Sequence, residues 1–436
     1  MLPSNKRTCS HEFTNFSDND NSNNSPHSFI KRTKCDFISE DLDIVPCSCH
    51  VVFLDPLPST SLLHLTESSS MNHNVESLHD CHYYSSETIE YLKNNGVEFY
   101  EKLCHRLRQE RLCPFSGNFS IIQSLGVYRT MGNADHLLNR PFDVKISHHC
   151  SCIAVSDYDN KRVVLFDYLT KNYKGQINVG TCPYYLAIEK HDPLLGYGCD
   201  SLYVSCGKFV KKFDLFRAIR MSVFKNKHLS RAMWISEDNE LKVACGMHVY
   251  YSQTNQKGSN FKNGNSTNYL IVSDIGRSNL KFLRCDDGSA ILSISSQNIG
   301  TIFSPWMIVV DPESSLLYVS ELHHSVKILK MESFEENHEK TTFTLVECFG
   351  ENELNKIALK NPCGMVLDRI SKKIILANRN ANSLMVLTRP SDKTFFEMEY
   401  QDHSLKFQQP RGLCFDERTG LLYLVDCSNH QVHIIS

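Results

Sequence analysis

Beyond residue 118 the chain settles into short apolar runs rich in Val, Ile, Leu, Tyr and Phe, separated by Gly, Asn, Asp and Ser turns. Runs of this length and composition read as strands rather than helices. They follow one plan, repeated in six successive copies. A first run, usually opened by Pro, starts at Pro141-Phe-Asp-Val, Pro183-Tyr-Tyr-Leu, Ala232-Met-Trp-Ile, Pro305-Trp-Met-Ile, Pro362-Cys-Gly-Met and Pro410-Arg-Gly-Leu. After a turn comes a second run: Ile153-Ala-Val-Ser-Asp157, Leu202-Tyr-Val-Ser-Cys206, Leu270-Ile-Val-Ser-Asp274, Leu317-Tyr-Val-Ser-Glu321, Ile374-Ile-Leu-Ala-Asn378 and Leu422-Tyr-Leu-Val-Asp426. A polar turn leads to a third run, such as Val163-Val-Leu-Phe166 or Val432-His-Ile-Ile435. A fourth follows most copies, at 175–179, 290–294, 343–347 and 394–398.

Four short antiparallel strands per unit, six times over, predict an all-β chain folded as a six-bladed β-propeller. One blade alone leaves both faces wet, and a ring of six covers them. The sixth copy ends at Ser436 without a fourth strand, while an orphan strand, Phe119-Ser-Ile-Ile-Gln-Ser-Leu-Gly126, precedes the first copy. It matches Phe343-Thr-Leu-Val-Glu-Cys-Phe-Gly350 in the fourth copy, so the N-terminal strand is expected to complete the last blade and close the ring. The third copy departs most, with an inserted loop expected near 238–268.

Upstream the pattern is different. Residues 1–86 are rich in Ser, Asn, Asp and His, with only short apolar patches, and are expected to be mostly disordered. Residues 87–117 read as a helical segment. Ser85-Ser86 offers a cap, Leu92, Phe99, Leu103 and Leu107 form an apolar stripe, and Cys113-Pro114 stops it.

Composition narrows the function. Lys and Arg total 46 against 49 Asp and Glu, a net charge of −3, which argues against binding nucleic acid or membrane by bulk charge. The start shows no secretory h-region, and no run is long enough to span a bilayer, so a cytoplasmic protein without membrane contact is expected. The 18 cysteines then read as reduced thiols, most of them single and inside apolar runs. Cys47-Ser-Cys49-His50, His79-Asp-Cys81-His82 and His148-His149-Cys150-Ser-Cys152 lack the paired spacing of a zinc site. No metal or cofactor is expected, and no phosphate loop, nucleophile elbow or zincin motif appears.

Asp157-Tyr-Asp-Asn160-Lys-Arg162-Val163 and Asp426-Cys-Ser-Asn429-His430-Gln-Val432, with the upstream Pro362-Cys-Gly and Pro410-Arg-Gly, resemble the NHL repeat. The resemblance extends over about 118–436, with no recognisable RING or B-box. Asp157, Asn160, Asp274, Glu321, Asn378, Asp426 and Asn429 occupy its structural motif, with Cys206 departing in the second copy. WD40 repeats would place Asp after Trp, which neither Trp234 nor Trp306 does, and kelch repeats would show Gly pairs.

The resemblance implies a non-enzymatic interaction scaffold that binds a protein partner on one face, with a substrate-adaptor role in ubiquitin-linked pathways as one form. The alternatives are a single-stranded RNA-binding domain and a metal-dependent propeller lyase or lactonase. The turns between second and third strands and the loops between fourth and first strands should share that face. Its candidates are Arg129, Arg140, Lys161, Arg162, Lys225, Lys227, Arg231, Arg277, His323, His324, Arg379 and Arg411. Residues 161–284 carry a net +10 and residues 311–353 a net −7, so the ring is expected to be electrically lopsided. An enzyme would need three or more ligands converging in the channel. The first strands as read offer only Asp143, Trp234 and Trp306.

Overall fold

The computed structural model describes residues 112–436 apart from 196–198, 224–230, 238–239, 252–267, 296–301, 334–340, 351–356, 390–395 and 403–404. The low-complexity segment and residues 87–111 of the helical segment expected at 87–117 lie outside the described residues. Residues 112–120, the end of the expected helical segment included, have no regular secondary structure.

Six four-stranded antiparallel sheets follow. Blade 1 is β2 (Pro141–Ser147), β3 (Cys152–Asp157), β4 (Arg162–Asp167) and β5 (Tyr173–Asn178). Blade 2 is β6 (Leu186–Glu189), β7 (Ser201–Cys206), β8 (Phe209–Asp214) and the short β9 (Trp234–Ile235), with helix α1 (Leu215–Val223) between the last two. Blade 3 is β10 (Ala244–Tyr250), β11 (Tyr269–Asp274), β12 (Asn279–Arg284) and β13 (Ala290–Ser295). Blade 4 is β14 (Pro305–Asp311), β15 (Leu316–Glu321), β16 (Ser325–Ser333) and β17 (Thr342–Phe349). Blade 5 is β18 (Pro362–Asp368), β19 (Lys373–Asn378), β20 (Ser383–Thr388) and β21 (Glu397–Asp402). Blade 6 is β22 (Pro410–Asp416), β23 (Leu421–Asp426) and β24 (Gln431–Ile435), completed by β1 (Ile121–Leu125).

The first strands line the axis: β2 packs on β6, β6 on β10, β10 on β14, β14 on β18, β18 on β22, and β22 on β2. Second strands such as β3, β7 and β11 are buried at every position, because each is covered by the neighbouring blade on both faces. That explains runs such as Leu-Ile-Val without polar alternation. The side chains meet in clusters between blades, for example Ala154, Leu165, Leu186 and Val204 between blades 1 and 2. Five first strands also share a register shift two or three residues in, between Pro141 and Val144, Ala244 and Met247, Pro305 and Ile308, Pro362 and Gly364, and Pro410 and Leu413. The extra residue turns the strand as it enters the channel. At two of these breaks a second-strand Ser accepts the freed amide: Asp143 N–H donates to Ser156 Oγ at 2.8 Å and Met307 N–H to Ser320 Oγ at 3.1 Å, and in blade 2 Tyr185 N–H donates likewise to Ser205 Oγ at 2.9 Å.

The third copy is revised. Ala232-Met-Trp-Ile was expected to open blade 3, but Trp234–Ile235 is the outermost strand of blade 2, paired through Lys211↔Ile235 and Lys212↔Trp234. The opening strand of blade 3 is Ala244–Tyr250, inside the stretch expected as an insertion. The long connection instead joins β10 to β11. Helix α1 was not anticipated, and β21 begins three residues later than the fourth run expected at 394–398.

Ring closure follows the expected joint. β1 pairs antiparallel with β24 through Ile121↔Ile435, Gln123↔Ile434, Ser124↔His433 and Leu125↔Val432. On the opposite side of the seam, the buried Asp416 accepts bonds from His148 Nε2 at 2.9 Å, Tyr168 Oη at 2.6 Å and Thr419 Oγ1 at 2.7 Å, tying blade 6 to blade 1. Burial alone would raise the Asp416 carboxyl, but the bonds from His148, Tyr168 and Thr419 outweigh it and hold the group well below the usual range. A depressed carboxyl contributes stability that is present above its unfolded value near 3.9 and lost as pH falls below it. Asp416→Asn is therefore expected to cost about 1–3 kcal/mol at pH 7. The gap from the native chain should narrow as pH falls through about 4. Urea unfolding at pH 7, 5 and 3.5 measures this, and a gap independent of pH contradicts it.

Candidate interaction face

At the end of five of the six second strands, an acid or amide reaches back to the loop that enters its blade. Asp157 Oδ1 accepts from Asn139 N at 2.6 Å, Asp274 Oδ1 from Val243 N at 2.8 Å, and Glu321 Oε1 from Phe303 N at 2.8 Å. Asn378 Oδ1 accepts from Lys360 N at 2.6 Å and Asp426 Oδ1 from Gln408 N at 2.8 Å. The repeat's acid thus fastens the fourth-to-first loop as well as its own turn. Within the turn, Asn160 Nδ2 and Asn429 Nδ2 each donate to the second carboxylate oxygen at 2.8 Å. The turns close through a left-handed residue: Lys161, Ser278, His324, Asn382 and His430 have φ between 52° and 71°. Blade 2, with Cys206 in place of the acid, turns in fewer residues on Gly207 at φ 63°.

This network fixes what the face presents. Arg162 is 6% exposed: its Nε donates to Asp157 Oδ2 at 2.7 Å, and its Nη atoms donate to the carbonyls of Asn133 (2.9 Å), Ala134 (3.1 Å) and Leu137 (3.0 Å) and to Gln176 Oε1 (2.8 Å). Arg411 is 3% exposed, its guanidinium carbon 3.9 Å from the Phe142 ring centroid. Neither belongs to the exposed surface, because each guanidinium is spent inside, one as a clamp on loop 126–140 and one against the channel wall. Arg129, Arg140, Lys161, Arg231, Arg277, His323 and His324 are exposed, and Arg379 is half-buried. Lys225 and Lys227 lie outside the described residues. His323 and His324 share a turn without converging: His324 Nδ1 accepts from Asn361 N at 2.9 Å, while His323 meets the Phe303 ring edge-on.

The most prominent surface is loop 126–140, at the joint of blades 6 and 1. Val127, Tyr128 and Met131 are 40%, 55% and 67% exposed. Arg129 lies over the Tyr128 ring at 5.1 Å and Arg140 over Tyr158 at 5.6 Å. Tyr158 in turn stacks on Phe142 at 4.3 Å and meets Tyr184 edge-on at 5.0 Å. The loop is held firmly, by the Arg162 clamp, by Arg129 N–H to Asn429 O at 3.0 Å, and by Arg140 N–H to His430 Nδ1 at 3.0 Å. The sequence reading named the arginines and, for base stacking, Tyr128 and Tyr158, and missed Val127 and Met131 beside them. Their signal was large apolar side chains beside Tyr128 in a segment that belongs to no blade run.

Inside the channel, Lys145 Nζ lies 2.8 Å from both oxygens of the buried Asp143, whose carboxyl is pushed up by desolvation against the pull of Lys145. His248 on β10, which the sequence reading did not select, is pushed down to about 4 by burial, with Lys145 adding to it, and is neutral at pH 7. Trp234 is not on a first strand, and Trp306 Nε1 donates to Tyr185 Oη at 2.5 Å. Among the described residues no three His, Cys, Asp or Glu side chains converge as metal ligands. The His148–Cys152 group is dispersed: His148 bonds Asp416, His149 lies 3.2 Å from Asp200, and Cys150 and Cys152 are buried free thiols in the core. Among the described residues no helix is long and apolar enough to cross a membrane.

Six sheets in a ring, closed by an N-terminal strand, define a six-bladed β-propeller. The model of the NHL repeat matches residues 407–435, the last turn and strands of blade 6. The matched repeat and the six-bladed ring together support the resemblance to NHL-repeat propellers. No curated protein matches the sequence. Similar solved structures include the β-propeller domain of Cps50 (Swd1) from Myceliophteria thermophila, at 9% identity and TM-score 0.46, covering 71% of this chain and 99% of that one. Kuenenia stuttgartiensis hydrazine synthase aligns at 13% identity and TM-score 0.45, covering 70% and 97%. A Bacteroides thetaiotaomicron protein of unknown function aligns at 11% identity and TM-score 0.48, covering 72% and 75%.

Proposed function

We propose that this propeller is an interaction platform that binds a protein partner through loop 126–140 and the turns beside it. The observation that carries the reading is an exposed Tyr, Met and Val patch, flanked by two arginines, on a loop fastened to the ring. Tyr, Met and Arg are the residue types enriched where binding energy concentrates, and a pre-ordered loop loses little freedom on binding. An adaptor role in ubiquitin-linked pathways is a part of this proposal that rests on the family resemblance alone, and a cytoplasmic setting is a part that rests on the sequence reading alone. A second reading is favoured by one observation: the stacked Arg129–Tyr128 and Arg140–Tyr158 pairs are suited to bases of single-stranded RNA.

Tyr128→Ser with Met131→Ser is expected to reduce recovery of crosslinked partners at least tenfold with no change in melting temperature, because both side chains are largely exposed. Leu345→Ser, on the exposed part of β17, should leave recovery unchanged. Charge reversal at Arg129 and Arg140 tests the same face without disturbing the buried Arg162 and Arg411. A recovered complex that is nuclease-sensitive and weakens steeply with salt would favour the RNA reading. Full recovery with all four substitutions removes this face from the account.

A further inference from the structure

On the opposite end of the ring, blades 4 and 5 form an open cleft of about 290 Å³. Leu316, Leu367 and Phe396 supply apolar wall, and Asp311 and Tyr318 lie deeper, 6% and 5% exposed. The volume is at the small end of ligand pockets, about 300 Å³.

The charges around it pair off, with one exception. On the rim, Lys372 Nζ lies 2.8 Å from Glu313 Oε2. Arg389 lies 2.5 Å from Glu347 Oε2 and stacks 4.4 Å from the Phe396 centroid, its Nε shut from solvent. Arg369, on the next turn of blade 5, is engaged by both oxygens of Glu417. Asp311 has only neutral donors, Glu313 N at 3.1 Å and Ser314 Oγ at 2.6 Å. Among the described residues no cation comes within ion-pair distance of it, and the Tyr318 hydroxyl has no hydrogen-bond partner. Asp311 feels the Arg369 charge at a distance but has no ion-pair partner of its own among the described residues, and beside the Tyr318 hydroxyl it leaves acceptors open to a further N–H donor.

We propose that this cleft binds an organic monocation, an ammonium or guanidinium group on a short apolar stem. The Asp311 carboxylate takes the charge, the Tyr318 oxygen accepts a second N–H, and the stem lies against Leu316, Leu367 and Phe396. The cation is either a Lys or Arg side chain of a protein partner or a free small amine.

The test uses the full chain in calorimetric titrations with n-butylammonium, n-butylguanidinium and, as neutral control, n-butanol. A second arm uses a capped Ala-Lys-Ala peptide and its norleucine counterpart. Saturable binding is expected for the cations, at least tenfold weaker for n-butanol, at least tenfold weaker with Asp311→Asn, and a few-fold weaker with Tyr318→Phe. A peptide binding more tightly than the free amine assigns the site to a partner's side chain; the reverse order assigns it to a small amine. Unsaturable binding of the cations, equal binding of n-butanol, or full binding by a folded Asp311→Asn chain overturns the proposal. Should Asp311→Asn melt without a cooperative transition, Tyr318→Phe and the n-butanol comparison decide. The site is independent of loop 126–140, so the Tyr128 and Met131 variant should bind these probes unchanged.

Discussion

Replacing Lys212 by Met is expected to destabilise the protein by about 3–5 kcal/mol and lower its melting temperature by roughly 5–15 °C. Lys212 is fully buried between blades 2 and 3. Its Nζ lies 3.0 Å from Glu189 Oε2, 2.6 Å from Asp192 Oδ2 and 2.8 Å from the Cys285 carbonyl. Tyr203 Oη and Asn268 Nδ2 complete Glu189 at 2.6 and 2.8 Å, and Trp234 Nε1 donates to the same Cys285 carbonyl at 3.1 Å. Methionine keeps the volume but strands two carboxylates in the interior. The destabilisation comes from those stranded charges, so Glu189→Gln and Asp192→Asn added to Lys212→Met should restore part of the loss. Chemical unfolding of the three chains measures this, and a loss under 1 kcal/mol for Lys212→Met would contradict the network's role.

The second large effect is expected from a chain that begins at residue 127. It lacks β1 and the stretch that anchors it. Leu125 is buried in the core, Ser120 and Ser436 exchange two backbone bonds, and Phe119 stacks on Tyr400 of blade 5 at 4.0 Å. Further upstream, Cys113 N bonds Glu417 O at 2.7 Å and Phe115 N bonds Asp368 Oδ2 at 2.9 Å. Each large buried apolar side chain contributes about 1.5–3 kcal/mol, and whole domains are stable by only about 5–15 kcal/mol. The shortened chain should therefore lose most of its cooperative transition and become protease-sensitive. A synthetic peptide of residues 112–126 should restore part of both. A shortened chain that melts like the full one would mean the ring does not depend on the joint.

Much of the ring was legible in the sequence because the repeat's period is imposed by geometry. The Leu-Tyr-Val-Ser-Asp pattern marks a strand covered on both faces with an acid at its end, and the likeness of Phe119–Gly126 to Phe343–Gly350 disclosed the closing strand. The reading failed where one residue satisfied the same need differently. Blade 3 opens with Ala244 rather than Pro, so the more apolar Ala232–Ile235 drew the assignment, although the shared requirement is the bulge and not the proline. Lys212 sits in a run read as a strand, and nothing local shows that Glu189 and Asp192 converge on it from another part of the blade. Arg162 and Arg411 were placed on the face by their position in the repeat, whereas their burial depends on loop 126–140 and on Phe142. Asp311 and Tyr318 looked like ordinary strand residues, since a cleft between blades has no signature in either blade alone.

Amide hydrogen exchange across the seam tests ring closure most directly. The amides of 121–125 that bond β24 should be protected as long as those of 431–435, and the two segments should open together as denaturant is added. Exchange of 121–125 at the rate of an unstructured peptide, beside a protected 431–435, would contradict a propeller latched by its N-terminal strand.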